Sequence, residues 1–439
     1  LNSPALDIPL KRYPEYKDSG EEWLGEIPSD WELQRIKYLF REVNDRSTTG
    51  DEDLLSVSQY TGVTKRSNSF AEGEDITTAA TLEGYKRVKQ GDLVSNIMLA
   101  WNGSLGFSAL NGITSPAYGV YRSSGKTNAR FLHYLFRTDR YKGEWKRNSS
   151  GIMDSRLRLY TEDFFSIWCL LPPDPQQTAI ADFLDDKTAK IDEAIAQKER
   201  MIKLLQERKQ ILIQTAVTKG LDPNVRMKDS GIDWIGEIPA HWEVCAIRRK
   251  FRVLDCKHKT VEFFEEGYPL ASIREVHGLE VDLRQANRTN LDGYNEMIDG
   301  DRRPRPGDII YSRNASVGDA ALVTSDEEFS MGQDVCLLRG SELDPAFAVQ
   351  AIRSDYVRNQ AEILMVGATI RRINVGQLKG FFLAVPPPAE QEVILLSIQK
   401  NTEKFDQGIA SQWKEISRLR ELRATIVDSA VTGKIKVTP

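Results

Sequence analysis

Residues 17–32 read KDSGEEWLGEIPSDWE, and residues 228–243 read KDSGIDWIGEIPAHWE. The stretches lie 211 residues apart and share Trp23/Trp234, Trp31/Trp242 and an identical Gly-Glu-Ile-Pro core. A second pair, LPPDPQQTAIADFLDDKT at 171–188 and VPPPAEQEVILLSIQKNT at 385–402, lies 214 apart. Its register continues unbroken to QTAVTKG at 214–220 and DSAVTGK at 428–434. Repeats decide architecture, since each copy folds as a similar unit. The chain is written twice.

Between the matched blocks, residues 34–170 and 245–384 diverge and share only fragments. Gly91-Asp92-Leu93-Val94 parallels Gly307-Asp308-Ile309-Ile310, and Asn102-Gly103-Ser104-Leu105-Gly106 parallels Asn314-Ala315-Ser316-Val317-Gly318. Gly-Asp before a short apolar run reads as a turn entering a buried strand. Helical runs such as 129–147 are interspersed, so each stretch is expected to be an α+β domain.

The matched blocks that follow are helical. No Gly or Pro occurs from Thr178 to Thr218, and Asp174-Pro175-Gln176-Gln177 supplies a cap, a first-turn proline and a glutamine. Steps of four and three pick out Leu184, Thr188, Ile191, Ile195, Lys198, Ile202, Leu205, Lys209, Leu212 and Ala216. Adding 214 gives Ile398, Thr402, Phe405, Ile409, Gln412, Ile416, Leu419, Arg423, Ile426 and Ala430. This is a coiled-coil seam whose apolar and polar slots coincide. Parallel and in register, Lys209 would face Arg423 across a dry seam. Antiparallel, Lys209 faces about Phe405 and Arg423 about Ile191, and both stems can lie along apolar surface with their charges in water. An antiparallel pair about 60 Å long is therefore expected. Two similar units joined this way are related by an approximate two-fold, which suits half-sites about one DNA turn apart.

Composition narrows the function. The net charge of −5 opposes a uniformly basic nucleic-acid binder. Yet Arg122–Arg158 carries ten Lys/Arg against Asp139, Glu144 and Asp154, and a second basic knot sits at Arg302, Arg303 and Arg305. No apolar run is long enough for a membrane span, and the N-terminus lacks the pattern of a signal peptide. Cys169, Cys245, Cys256 and Cys336 are too scattered for a disulfide framework, so a cytoplasmic protein is expected. Enzymatic signatures are missing. Pro172-Pro173 and Pro386-Pro387 lack the aromatic of a methyltransferase motif, and there is no Walker A sequence. Cys256-Lys257-His258 has no second ligand pair. No catalytic or metal residue is expected.

Two divergent domains alternate with two helical blocks. Lys-Asp-Ser-Gly and Gly-Glu-Ile-Pro-x2-Trp-Glu precede each domain, and a Pro-Pro helix start with Gln177 or Gln391 follows it. In this the chain resembles the specificity subunits of Type I restriction-modification systems over nearly its whole length. The resemblance implies two target recognition domains, each reading half of a bipartite, asymmetric duplex site. It implies helical spacers that dock two modification (methyltransferase) subunits, with restriction (translocase/endonuclease) subunits added to these. It also implies a non-catalytic chain without cofactors, whose partners use S-adenosylmethionine, ATP and Mg. The expected organisation is an N-terminal arm and first motif (1–33), a recognition domain (34–171), a helical spacer (172–222), a linker with the second motif (223–244), a second recognition domain (245–385) and a second helical spacer (386–439).

Arg, Asn and Gln carry base readout, and Lys and Arg grip phosphate. The expected DNA-binding residues are Lys65, Arg66 and Asn68; Asn96 and Asn102; Arg313 and Asn314; and Thr369, Arg371 and Arg372, all in loops. Phosphate contacts are expected from Arg137, Arg140, Lys142, Lys146 and Arg147 and from Arg302, Arg303 and Arg305. Docking is expected on outward helix faces that include Lys187, Glu199, Arg200 and Glu207. The alternative is a coiled-coil scaffold that binds only protein, which predicts no salt-sensitive DNA binding.

Overall fold

The computed structural model describes residues 11–59, 61–66, 81–125, 127–153, 156–340, 343–365 and 371–437. The chain forms two compact units, Leu1–Lys198 with Lys414–Pro439 and Glu199–Trp413. Helices Asp174–Lys219 and Pro388–Val431 each contribute to both.

Unit one begins with a hairpin, Tyr16–Asp18 against Glu26–Pro28, built from the first repeat motif. Ile27 and Trp31 point into the core, and the Trp31 indole N–H donates to Gln176 Oε1 at 2.9 Å. A buried indole needs such a partner. The motif therefore clamps the start of the long helix. Strand Glu32–Arg35 pairs with Trp168–Leu171, which leads into that helix. Between them lies a four-stranded antiparallel sheet in the order Phe40–Glu42, Gly119–Ser123, Leu93–Ser95, Leu105–Phe107. Helices Ala129–Leu135 and Asp139–Arg147 pack Phe131, Leu135, Tyr141 and Trp145 into the same core.

Unit two repeats this plan. Its hairpin is Met227–Asp229 against Glu237–Pro239, and the Trp242 indole donates to Glu390 Oε2 at 3.0 Å. Strand Glu243–Ala246 pairs with Phe382–Val385. The four-stranded antiparallel sheet runs Arg252–Asp255, Val335–Arg339, Ile309–Ser312, Ala320–Leu322, followed by helices Pro345–Ile352 and Asp355–Met365. The units differ in what is attached. Unit one adds the pairs Leu55–Ser58/Gly62–Lys65 and Lys86–Val88/Gly112–Thr114. Unit two adds a three-stranded sheet and helix Leu291–Ile298.

The two Gly-Asp fragments have the same purpose. Gly91 and Gly307 both sit at φ +89°, which an L side chain avoids. Each following aspartate is buried, Asp92 at 1% and Asp308 at 4% exposure. The Arg122 guanidinium donates twice to Asp92 at 2.7 Å, and Arg339 donates to Asp308 at 2.6–3.2 Å. A second shared lock is the buried amide of Gln177 and of Gln391. Gln177 donates to Pro172 O and accepts from Asn128 N; Gln391 donates to Pro386 O and accepts from Asp344 N. Asn128 and Asp344 are the N-caps of helices Ala129–Leu135 and Pro345–Ile352, so each glutamine ties its domain to the long helix.

The long helices run antiparallel, as the seam requires. All twenty seam positions are buried or half-buried. Within unit two, Leu205 lies against Gly408 and Lys209 Nζ is 2.6 Å from Asp406. Within unit one, Arg423 Nε is 3.1 Å from Asp192. The long side chains do more than lie along apolar surface: each finds the carboxylate one position from its expected neighbour. Asp192 and Asp406 occupy the same place in the 214-residue repeat.

Candidate nucleic-acid interface

The side chains expected to touch DNA fall into two groups. One is engaged inside its domain. Asn96 is 5% exposed, donates to Tyr118 Oη at 3.0 Å and accepts from Met98 N. Arg313 is 2% exposed, 2.8 Å from Asp255, and donates to Gln333 O at 3.3 Å. Both side chains are held inside their domain, and removing either from its partners would strand a buried polar group. Asn102 shapes its own turn by accepting from Ser104 N and Oγ. Asn314 donates to Asp334 at 3.2 Å and accepts from Ala315 N. Arg302 donates to Asp255 O and Asp299 O and so braces the loop beneath it.

The other group faces outward. Lys65 pairs with Asp53 at 2.7 Å with both side chains about half exposed, and Arg66 follows it, half-buried. Lys146 and Arg147 are exposed at the end of their helix, with Lys146 Nζ 5.6 Å from the Trp101 ring centre and Arg147 3.4 Å from Glu144. Arg303 and Arg305 are exposed and paired with Glu328 at 2.6 Å and Asp301 at 2.9 Å. Arg371 and Arg372 are exposed, and Arg371 pairs with Glu362. Exposed pairs of this kind contribute about 0–1 kcal/mol, so a phosphate or base edge can replace the carboxylate at little cost. Arg137, Arg140 and Lys142 line one cavity. Asn68 and Thr369 lie outside the described residues.

The helix surfaces also differ from expectation. Lys187 folds over Phe183 at 5.8 Å and is only 21% exposed. Glu199, Arg200 and Glu207 are exposed. Beside them stand apolar side chains that a charge-based reading passes over: Met201, Leu204 and Ile211 at 48%, 54% and 63% exposure, and Trp413 at 49%.

Among the described residues, Asp255, Cys256 and His258 are the one group close enough to share a metal ion. Their chemistry does not fit one. Burial, then the Asp255 charge, pushes the Cys256 thiol up to about 11, so it keeps its proton, and Arg313 already supplies the positive charge beside Asp255. All four cysteines are free thiols. Among the described residues no helix is long and apolar enough to cross a membrane.

Residues 264–412 match the family model of the Type I restriction modification DNA specificity domain. Across 94% of its length the chain is similar to two specificity subunits of Methanocaldococcus jannaschii. It is 22% identical to the type I restriction enzyme MjaVIII specificity subunit, covering 94% of it. It is 23% identical to the putative type I restriction enzyme MjaX specificity subunit, covering 96% of it. Its fold matches a chain solved in a study of complex assembly and conformational transition of the type I R-M system, with TM-score 0.66 and 16% identity over 92% of this chain and 98% of that one. Residues 264–412 thus match the DNA specificity domain, and over nearly its whole length the chain is similar to specificity subunits of Type I restriction-modification systems.

Proposed function

We propose that the chain reads a bipartite, asymmetric duplex site, one half-site with each unit, and docks two modification subunits along its helices. The observation that carries this is the pairing of a common scaffold with divergent attachments: the same sheet order and the same Asp–Arg and glutamine locks hold different loops in each unit. Unlike loops on like scaffolds suit unlike half-sites. Outward arginines and lysines give each unit donors for base edges and phosphates, with Lys146 and Arg147 in one and Arg303, Arg305, Arg371 and Arg372 in the other. The long helices fix the spacer between half-sites. Met201, Leu204, Ile211 and Trp413, set among Glu199, Arg200 and Glu207, give a partner helix an apolar anchor with a charged rim. S-adenosylmethionine, ATP and Mg belong to the modification and restriction subunits, and the complex works in the cytoplasm.

The test is a map of methylated adenines across a host genome expressing this chain with its modification subunit. One asymmetric motif, split by a fixed unspecified spacer, is expected. A palindromic or unsplit motif would refute the reading, and the protein-binding scaffold predicts no motif at all.

A further inference from the structure

Unit one contains a cavity of about 850 Å³ between its two short domain helices and the final turns of the second long helix. Five cations line it: Arg137, Arg140, Lys142, Arg423 and Lys434. Two carboxylates, Asp139 and Asp428, share the lining, and Asp192 stands against Arg423. Two positive charges remain in surplus. Arg140 and Lys434 divide one carboxylate, Asp428, at 3.3 and 2.5 Å, and Lys142 reaches Asp139, which is 93% exposed. The Arg423 Nε–H is buried and lacks hydrogen-bond geometry to its neighbouring carboxylate. Arg137 donates to the carbonyls of Leu105 and Gln59.

The like charges feel one another. Burial, then the charge of Arg423, holds Arg137 below its usual range. His133, at the same wall, is brought down to about 4 by burial and then by Arg137 and Arg423. At neutral pH it is therefore a neutral ring in a wall that carries five arginine or lysine heads, and not a further cation. A concave, partly desolvated surface with surplus positive charge concentrates anions, and guanidinium groups match phosphate oxygens in pairs.

In unit two the corresponding positions are arranged differently. Phe136-Arg137-Thr138-Asp139 corresponds to Ile352-Arg353-Ser354-Asp355. Arg353 donates to the carbonyls of His277, Gly278 and Ala320, and Asp319 lies 3.7 Å away, also bound by Arg358 at 2.9 Å. The repeat counterpart of Arg423 is Lys209, paired with Asp406 at 2.6 Å, and that of Asp428 is Gln214, which accepts from Asp355 N. There the charges are answered internally.

We propose that the unit-one cavity is a phosphate-binding site, with Arg423 of the long helix and Lys434 just past its end set across the anion from Arg137, Arg140 and Lys142. The phosphate comes either from the duplex backbone or from a free polyphosphate such as a nucleotide's. The duplex source rests on the DNA-reading function proposed above; the free source does not.

The test uses the full chain with Arg423→Gln and Lys434→Gln, and Lys209→Gln as the control that breaks the equivalent helix–helix ion pair away from the cavity. Inorganic pyrophosphate is titrated by calorimetry, and affinity for a random-sequence duplex of about 30 base pairs is followed against salt. A duplex phosphate predicts that the slope of log K against log salt becomes shallower by about one in Arg423→Gln and is unchanged in Lys209→Gln. A free polyphosphate predicts at least ten-fold weaker pyrophosphate binding in Arg423→Gln with the duplex slope unchanged. Either result supports the site. If Arg423→Gln alters neither readout, or Lys209→Gln alters them equally, the site is refuted. A wild-type chain with no preference for its own methylated motif would instead overturn the DNA-reading proposal and leave the pyrophosphate result standing.

Discussion

In unit one, Arg137 and its neighbours face an open cationic cavity; in unit two, the corresponding Arg353 is wound into carbonyls and Asp319. Over the same positions, His133 in unit one is replaced by Val349 in unit two, a buried aliphatic side chain. By contrast the Asp92–Arg122 and Asp308–Arg339 locks are alike in burial and geometry. The repeat has kept the ion pair that ties each Gly-Asp turn to the neighbouring strand and changed the groups around Arg137 and Arg353. The locks bury a carboxylate against its cation, so losing the arginine of either is costly.

The largest expected effect tests the conserved half of that comparison. Arg122→Ala and Arg339→Ala each leave a nearly inaccessible carboxylate without its cation, at a cost of about 3–5 kcal/mol. Urea unfolding should show similar losses for both. A loss below about 1 kcal/mol in one unit would mean that its lock is ornamental and the equivalence false.

Acid should separate the units next. The folded pKa of His133 is depressed from the usual imidazole value to about 4. In that interval the unfolded chain binds the proton and the folded chain does not, so stability falls as pH drops from about 6.5 to about 4 and levels off below. The contribution is about 3 kcal/mol, upper bound, and belongs to unit one alone. His133→Val should flatten this part of the pH–stability curve. An unchanged curve would assign the acid sensitivity to other groups.

The smallest effect concerns the paired helices. Lys209→Gln and Arg423→Gln each remove a partly exposed ion pair, so each should change stability by less than about 1 kcal/mol in thermal unfolding. A much larger loss for Arg423→Gln would make it a structural post and not a ligand group.

The architecture was legible because its signals are periodic. The 211- and 214-residue offsets and the matched polar slots at Lys209 and Arg423 imply the repeat and the antiparallel pairing from sequence alone. The Gly-Asp turns were legible as turns, but their arginines lie 30 and 31 residues downstream with no local pattern to mark them. For the same reason Arg313 and Asn96 look like loop residues in sequence: an arginine that reaches a base and one that reaches Asp255 have the same neighbours in the chain. No sequence pattern sets Arg423 and Lys434 beside Arg137, because the chain brings them there from nearly 300 residues away.

The central claim is that each unit reads its own half-site from a shared scaffold. Replacing residues 34–170 with the corresponding domain of another specificity subunit, then sequencing the methylated adenines, tests it most directly. The account predicts a motif in which one half changes while the other half and the spacer remain. A motif in which both halves change, or neither does, would contradict it.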